Sequence, residues 1–268
     1  MITVFTPAYN RGHTIERLFH SLQLQSNCNF EWIVIDDGSI DNTEELFSQR
    51  MMTNNQFNII YKKVINGGKH RAINSGVEMA RGELFFIVDS DDWLKPNSIE
   101  KIYEWEAKIK GEINFIGISG LKERPDGSII GRTFKGVYKD STNIEREKNN
   151  ILGDKAEVFY TNLLKRYKFP EFKGENFITE SVVWDKMALD GYKIRYFNEA
   201  IYVCEYLDDG LSAKGSDLFL NNPDGTLFSS KQTIGIPNVG KRRKIAAIYH
   251  YYIVAKSKGK NLEKILDE

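Results

Sequence analysis

The chain has 268 residues, 37 Lys and Arg against 37 Asp and Glu, and two cysteines. At roughly 100–200 residues per domain, that length suits one large domain or one domain with an appendage. Balanced charge argues against a general nucleic-acid binder, a 41% hydrophobic content excludes wholesale disorder, and Cys28 and Cys204 are too few for a disulfide scaffold or a cysteine-built zinc site. No apolar run approaches the ~20 residues of a membrane span. Residues 1–5 have no basic start of the signal-peptide kind, so the expected compartment is the cytoplasm.

Residues 2–6 are rich in β-formers and stop at Pro7; Ile15, Leu18, Phe19 and Leu22 then recur at helical spacing. Residues 32–35 are a continuous apolar run ended by Asp36-Asp37-Gly38-Ser39, and Asp41 with Glu44 reads as a capping box for a helix reaching about residue 52. Residues 57–64 give a third strand, Gly67-Gly68 a break, residues 69–80 a helix and residues 84–88 a fourth, wholly apolar strand. Apolar strands alternating with helices predict an α/β fold whose parallel sheet is covered on both faces. Further along, residues 96–110 read as helix, 114–119 as strand, Pro125-Asp126-Gly127 as a turn and 139–150 as a polar, mobile loop. Residues 180–189 read as helix and 194–204 as one or two strands. Past residue 215 the composition shifts: residues 216–268 carry nine basic and five acidic residues, a net of +4 that leaves −4 for residues 1–215.

In open α/β sheets, ligands sit beyond the carboxyl ends of the strands. Those ends carry Pro7-Ala8-Tyr9-Asn10, Asp36-Asp37-Gly38-Ser39 and Asp89-Ser90-Asp91-Asp92, so three polar clusters converge on one edge. Two carboxylates around one small residue repel unless a cation or protons intervene. Asp89 and Asp91 therefore suit Mg²⁺ or Mn²⁺, which favour carboxylate oxygens and bridge to phosphates. Asp89-Ser90-Asp91-Asp92 also reads as an ordinary loop in which Ser90 or Asp92 caps the next helix. Asp37 can accept a uracil imide or a ribose hydroxyl, and Tyr9 can stack on a base; each cluster also reads as a plain strand-to-helix turn. Asn66-Gly67-Gly68-Lys69-His70-Arg71 opens a helix with three potential cations, an anion site in which Lys69 or Arg71 meets phosphate. It matches neither the P-loop spacing nor the dinucleotide-binding Gly-x-Gly-x-x-Gly. Glu180, at a second helix start, suits a general base or simply a first-turn acid.

Together Thr6-Pro7-Ala8-Tyr9-Asn10, Val34-Ile35-Asp36-Asp37-Gly38-Ser39, Ala72-Ile73-Asn74-Ser75-Gly76, Ala80-Arg81-Gly82-Glu83 and Phe86-Ile87-Val88-Asp89-Ser90-Asp91-Asp92 resemble, in order and spacing over about residues 1–110, family 2 of the glycosyltransferases. Gly67-Gly68-Lys69-His70, Glu180 and Tyr206-Leu207-Asp208-Asp209-Gly210-Leu211-Ser212 look like bacterial members that build surface polysaccharides. The resemblance implies a GT-A fold, a Rossmann-like and mostly parallel sheet flanked by helices, with a C-terminal helical extension. Residues 1–215 would be catalytic, with 1–110 binding the nucleotide sugar and 111–215 facing the acceptor, and 216–268 would be the basic extension. It further implies an inverting transfer from a UDP sugar to a glycan or lipid-linked acceptor, with Mn²⁺ or Mg²⁺ as cofactor and no role for nucleic acid. Pro7, Tyr9, Asn10 and Asp37 would hold the nucleoside, Gly68 and Lys69 would lie by the diphosphate, and Asp89 and Ser90 by ribose or metal-bound water. Asp91, with Asp89, would ligate the metal, and Glu180 would be the base.

One departure concerns the base. Many relatives have Glu-Asp where this chain has Glu180-Ser181. Either Glu180 is the base, or Asp185 serves in a shifted register, or the chain is a non-catalytic binding subunit. A sugar-nucleotide pyrophosphorylase fits less well, because no Arg-containing, Gly-rich loop follows residues 2–6. In the tail, residues 241–255 read as an amphipathic helix with Ile245, Ile248, Tyr249, Tyr252 and Ile253 on one face, behind Lys241-Arg242-Arg243-Lys244. Two expectations stand for it: peripheral contact with the inner face of an anionic membrane, or packing on the catalytic domain.

Overall fold

The computed structural model describes residues 1–52, 55–207, 210 and 215–259. Its elements run β1 (Ile2–Ala8), α1 (Ile15–Gln23), β2 (Phe30–Asp36), α2 (Thr43–Leu46) continued by a π-helical turn (Phe47–Met51), β3 (Asn58–Lys63), α3 (Lys69–Met79) and β4 (Leu84–Ile87). There follow β5 (Trp93–Leu94), α4 (Ser98–Glu106), β6 (Phe115–Glu123), β7 (Tyr138–Ser141), β8 (Lys155–Tyr160), α5 (Thr161–Leu164), α6 (Ser181–Leu189) and β9 (Lys193–Val203). The tail holds α7 (Gly215–Leu220), α8 (Pro223–Gly235) and α9 (Lys241–Ser257).

One sheet runs in the order β3-β2-β1-β4-β8-β6-β9-β5, with β7 also on β9. The four strands at the β3 end are mutually parallel, as their unbroken apolar runs predict. Beyond β4 the pairing turns mixed: β8 is antiparallel to β4 and β6, while β6 and β9 are parallel. Alternate side chains divide between two cores. Val4, Trp32 and Phe86 pack with Leu18, Leu22 and Ile102 on one face, whereas Phe5, Ile33 and Phe85 pack with Ile73, Val77 and Trp184 on the other.

Pro7 does not end β1; it pairs with Ile35 inside the sheet. A proline is tolerated there because β4 pairs with β1 only as far as Phe5, so no ladder partner awaits the missing N–H. The expected capping box is absent: Asp41 accepts from the Thr43 N–H (3.1 Å) and the Gly12 N–H (2.9 Å), and Glu44 pairs with Lys63 (2.7 Å). The segment expected to be a loop at 139–150 begins as β7, an edge strand on β9. The tail packs on α6. Gln232 of α8 donates to the Val182 carbonyl (2.9 Å), and Arg243 of α9 meets the fully buried Asp185 of α6 (2.5 Å). No helix among the described residues is long and apolar enough to cross a membrane.

Candidate active site

The strand-end clusters meet at one edge and are stapled to each other. The Asn10 N–H donates to Ser39 Oγ (2.8 Å), and Asn10 Oδ1 accepts from the Ile40 N–H (2.9 Å). Asn10 itself sits at φ 53°, where the short amide side chain is tolerated. Pro7 is buried in β1, and Tyr9 beyond it is 46% exposed, its ring open to a ligand.

Asp37 is buried, and both its oxygens are engaged. Oδ1 accepts the Gly67 N–H (2.8 Å), and Oδ2 accepts the Gly68 N–H (2.7 Å) and Asn66 Nδ2 (3.2 Å). Burial pushes its carboxyl up, against those two N–H groups, which pull it down. Asp37 thus fixes the turn that launches α3. Gly68 in that turn has φ +95°, and a Cβ there would stand 1.8 Å from the Asn176 carbonyl oxygen, so only glycine fits.

This turn delivers Lys69, the first residue of α3, into the site. Its ammonium bridges Asp89 Oδ1 (2.6 Å) and Glu180 Oε1 (2.9 Å). Three residues from separate parts of the chain, each expected at the site, are therefore one ion cluster. Burial pulls the Lys69 pKa down, but the two carboxylates outweigh it and hold the ammonium well above its ordinary value. Burial likewise pushes Asp89 up, and Lys69 and Lys122 outweigh it, leaving its carboxyl below the ordinary range. Asp91 goes the other way: burial and then the charge of Asp89 raise it, with Arg11 (4.0 Å) only partly offsetting them. Ser90 between them is buried.

Asp89 and Asp91 are hard oxygen donors whose like charges repel, a repulsion that a divalent cation would relieve. Among the described residues no three His, Cys, Asp or Glu side chains form a metal cage. A divalent cation at this pair would need phosphate oxygens and water to complete its ligand set.

Two expectations are corrected. Arg71 does not reach the site: its guanidinium donates to the carbonyls of Glu175 (2.6 Å) and Phe172 (2.7 Å) and to Glu171 (3.1 Å), clamping 171–175 onto α3. Asp185 is unavailable as a base, since one oxygen holds Arg243 and the other accepts from Asn143 (2.6 Å). Glu180, at the start of α6, faces Lys69 instead, and Ser181 Oγ lies 3.1 Å from Thr179 Oγ1.

The sequence reading missed a layer beneath the aspartates. Asp92 is buried and accepts from Tyr202 Oη (2.7 Å) and the Glu205 N–H (3.0 Å), and Tyr202 Oη in turn accepts the Asp89 N–H (2.9 Å). Lys122 lies over the Tyr202 ring at 4.0 Å, held charged by Asp89 and Asp92 against the pull of burial. Glu157 is pushed up by burial, opposed by Arg146 and Lys122. Of the Tyr206-to-Ser212 motif, residues 208–209 and 211–212 lie outside the described residues.

Residues 3–120 match the family described as glycosyl transferase family 2. The chain is 38% identical over 244 residues to the glycosyltransferase GlyG of Streptococcus pneumoniae, covering 86% of this chain and 79% of that protein. It is 26% identical over 213 residues to the putative teichuronic acid biosynthesis glycosyltransferase TuaG of Bacillus subtilis, covering 80% and 82% respectively. Among solved structures, S. aureus TarS in complex with UDP-GlcNAc superposes with TM-score 0.68 at 19% identity, over 96% of this chain and 72% of that one. A mannosyltransferase from Pyrobaculum calidifontis in complex with GDP-Man and Mn²⁺ gives 0.63 at 16% identity, over 98% and 76%. These likenesses carry the fold, and the resemblance to GlyG carries the family: the chain belongs to glycosyl transferase family 2.

Proposed function

We propose that the chain is an inverting glycosyltransferase that moves a sugar from a UDP sugar to a hydroxyl of a glycan or lipid-linked acceptor in bacterial surface-polysaccharide synthesis. The observation that carries the proposal is the Lys69 bridge, which gathers a phosphate-seeking cation, a cation-seeking carboxylate and a candidate base within about one hydrogen bond of each other. The name of GlyG supports glycosyl transfer, that of TuaG supports transfer in the synthesis of a bacterial polymer such as teichuronic acid, and the TarS complex supports UDP-GlcNAc as a donor to try first.

In this reading residues 1–110 hold the donor and 111–215 shape the acceptor side. Tyr9 covers the base, with Pro7 and Asn10 setting its loop and Asp37 shaping the nucleoside end through the 66–68 turn. Gly68 and Lys69 face the diphosphate, and Asp89, Ser90 and Asp91 close the site at the leaving group. Asp89 and Asp91 would hold Mg²⁺ or Mn²⁺, which supplies positive charge to the departing diphosphate. Glu180 takes the proton of the acceptor hydroxyl. That oxygen bonds to the anomeric carbon from the face opposite the phosphate, the carbon–phosphate-oxygen bond breaks, and UDP leaves. A donor diphosphate draws Lys69 toward itself, so Glu180 becomes a free base as the donor arrives. Ser181 alone favours a non-catalytic binding subunit, and slow acceptor-free release of UDP separates the two readings.

The proposal extends to the tail. On α9 the exposed Ile245, Ile248 and Tyr249 stand beside exposed Lys241, Arg242 and Lys244, a composition suited to an anionic membrane surface.

A thermal-shift panel of nucleotide sugars with and without Mn²⁺, on wild type and Asp91→Ala, tests the core of this. Ligand at 100 times its Kd stabilises a native state by about 2.7 kcal/mol, several degrees for a chain of this size. The expected result is metal-dependent stabilisation by one UDP sugar, lost in the variant. No shift with any nucleotide sugar overturns the donor assignment.

A further inference from the structure

The aspartate loop is gripped from outside by a residue of α1. Arg17 Nη2 donates to the Asp91 carbonyl (2.5 Å), Nη1 meets Glu205 Oε2 (2.5 Å), and the guanidinium carbon lies 4.0 Å from the centre of the Trp93 ring. Glu205 is itself attached to the loop, because its N–H donates to Asp92 Oδ1 (3.0 Å). The second Asp92 oxygen takes the Tyr202 hydroxyl (2.7 Å), whose oxygen takes the Asp89 N–H (2.9 Å). The loop backbone is thus held at Asp89 from β9, at Asp91 from α1, and through the Asp92 side chain from the chain just after β9. The carboxylates of Asp89 and Asp91 are left to face Lys69 and Arg11.

We infer that Arg17 is a positioning residue for the cation-holding face of this loop, acting by locking the Asp91 backbone to the segment after β9. It touches neither donor nor metal. Its contribution is orientation: two mutually repelling carboxylates converge on one point only if the backbone between them cannot relax apart. Arginine is required because the residue does three things at once. The planar fork sends N–H groups to a carbonyl and to a carboxylate in fixed directions while its face rests on an indole, and a lysine ammonium has neither the rigid fork nor a planar face to lay on the ring. The inference rests on the proposed reading of Asp89 and Asp91 as metal ligands.

The test is Mn²⁺ binding in the presence of UDP, read from the loss of the free-Mn²⁺ electron paramagnetic resonance signal, on full-length wild type, Arg17→Met and Arg17→Lys. Arg195→Met serves as a control, because Arg195 makes comparable contacts, a fork to Asp140 (2.7 Å) and a face on Tyr138 (4.4 Å), on the β7 edge of the sheet. Removing an outer-shell partner of a metal ligand typically costs 10–100-fold in affinity. The expectation is therefore a weakening of at least about 10-fold for Arg17→Met, a smaller loss for Arg17→Lys, and an unchanged affinity for Arg195→Met despite a similar fall in Tm. Wild-type affinity in both Arg17 variants overturns the positioning role and leaves the metal reading intact. Absence of Mn²⁺ binding to wild type with UDP overturns both, and the two failures are told apart by the wild-type curve alone. If Arg17→Met does not fold, Arg17→Lys against wild type carries the same decision.

Discussion

Glu180 and Lys69 illustrate how a site made of ordinary charges becomes a chemical device. An exposed ion pair is worth little, but here one ammonium bridges two carboxylates for which we propose different tasks. Glu180→Gln keeps the shape and one acceptor oxygen while removing the base. It should lower kcat by about 10²–10⁴-fold with UDP affinity nearly unchanged, measured by UDP release and by UDP titration. An equal loss of both would mean that Glu180 binds rather than catalyses. Next to Lys69, His70 is turned inward with Nδ1 unpartnered, and burial brings its pKa down to about 4. Between pH 6.5 and about 4 the unfolded chain binds a proton that the folded chain refuses, so stability falls as pH drops through that window and is level above it. The loss by pH 4 is on the order of 3 kcal/mol, and His70→Leu should flatten the Tm profile there. The aspartates, Lys69 and Glu180 were legible in the sequence because each follows a readable strand or opens a readable helix. Arg17, Asp92, Tyr202 and Lys122 were not, because their roles exist only once α1, β4, β6 and β9 are brought side by side.

At the scale of elements, the first four strands could be read because a parallel strand buried on both faces is an unbroken apolar run. β8 could not. Its sequence alternates Lys155 and Glu157 with apolar residues, and both charges are met by groups in the loops before the strand. Lys155 is satisfied by the Leu152 carbonyl (2.5 Å), and Glu157 faces Arg146 (3.6 Å). The helix reaching Met51 was read correctly but its capping box was not, since Asp41 divides its oxygens between the Thr43 N–H and the Gly12 loop and Glu44 turns to Lys63. The joint between α6 and α9 shows the same logic energetically. Asp185 is fully buried, and Arg243 and Asn143 are its partners. Removing one partner of a buried pair typically costs 3–5 kcal/mol. Arg243 is 29% exposed, so water can enter after truncation, and Arg243→Ala should cost about 2 kcal/mol. Asp185→Asn in the same background should recover part of it, read as urea midpoints. A full loss with no recovery would place the cost in packing of the arginine stem instead.

Across the whole molecule the charge is balanced but unevenly placed, −4 before residue 216 and +4 after it. The tail's basic start does two things at once. Arg243 turns inward to Asp185, while Lys241, Arg242 and Lys244 stay outside. The helix divides its apolar residues in the same manner: Ala247, Tyr251, Val254 and Ala255 are buried, and Ile245, Ile248 and Tyr249 are 66, 50 and 51% exposed. Of the face expected to meet lipid, Ile245, Ile248 and Tyr249 are left outward while Tyr252 and Ile253 are half-buried, and the fully buried residues lie on the opposite side. Cutting the chain at residue 215 cannot test the lipid role, because it also strips Asp185 of its cation. The informative variant is Ile245→Glu with Ile248→Glu in the full chain, which leaves the Asp185 joint and the buried face untouched. Flotation with vesicles rich in phosphatidylserine should carry wild type upward at low salt, less so at 0.5 M salt because basic residues contribute about 1 kcal/mol each near such a surface and are screened. The double variant should stay at the bottom with unchanged UDP release from the donor in transfer to a soluble acceptor. Equal flotation of both proteins would remove α9 from the membrane and leave its outward apolar face without a lipid partner.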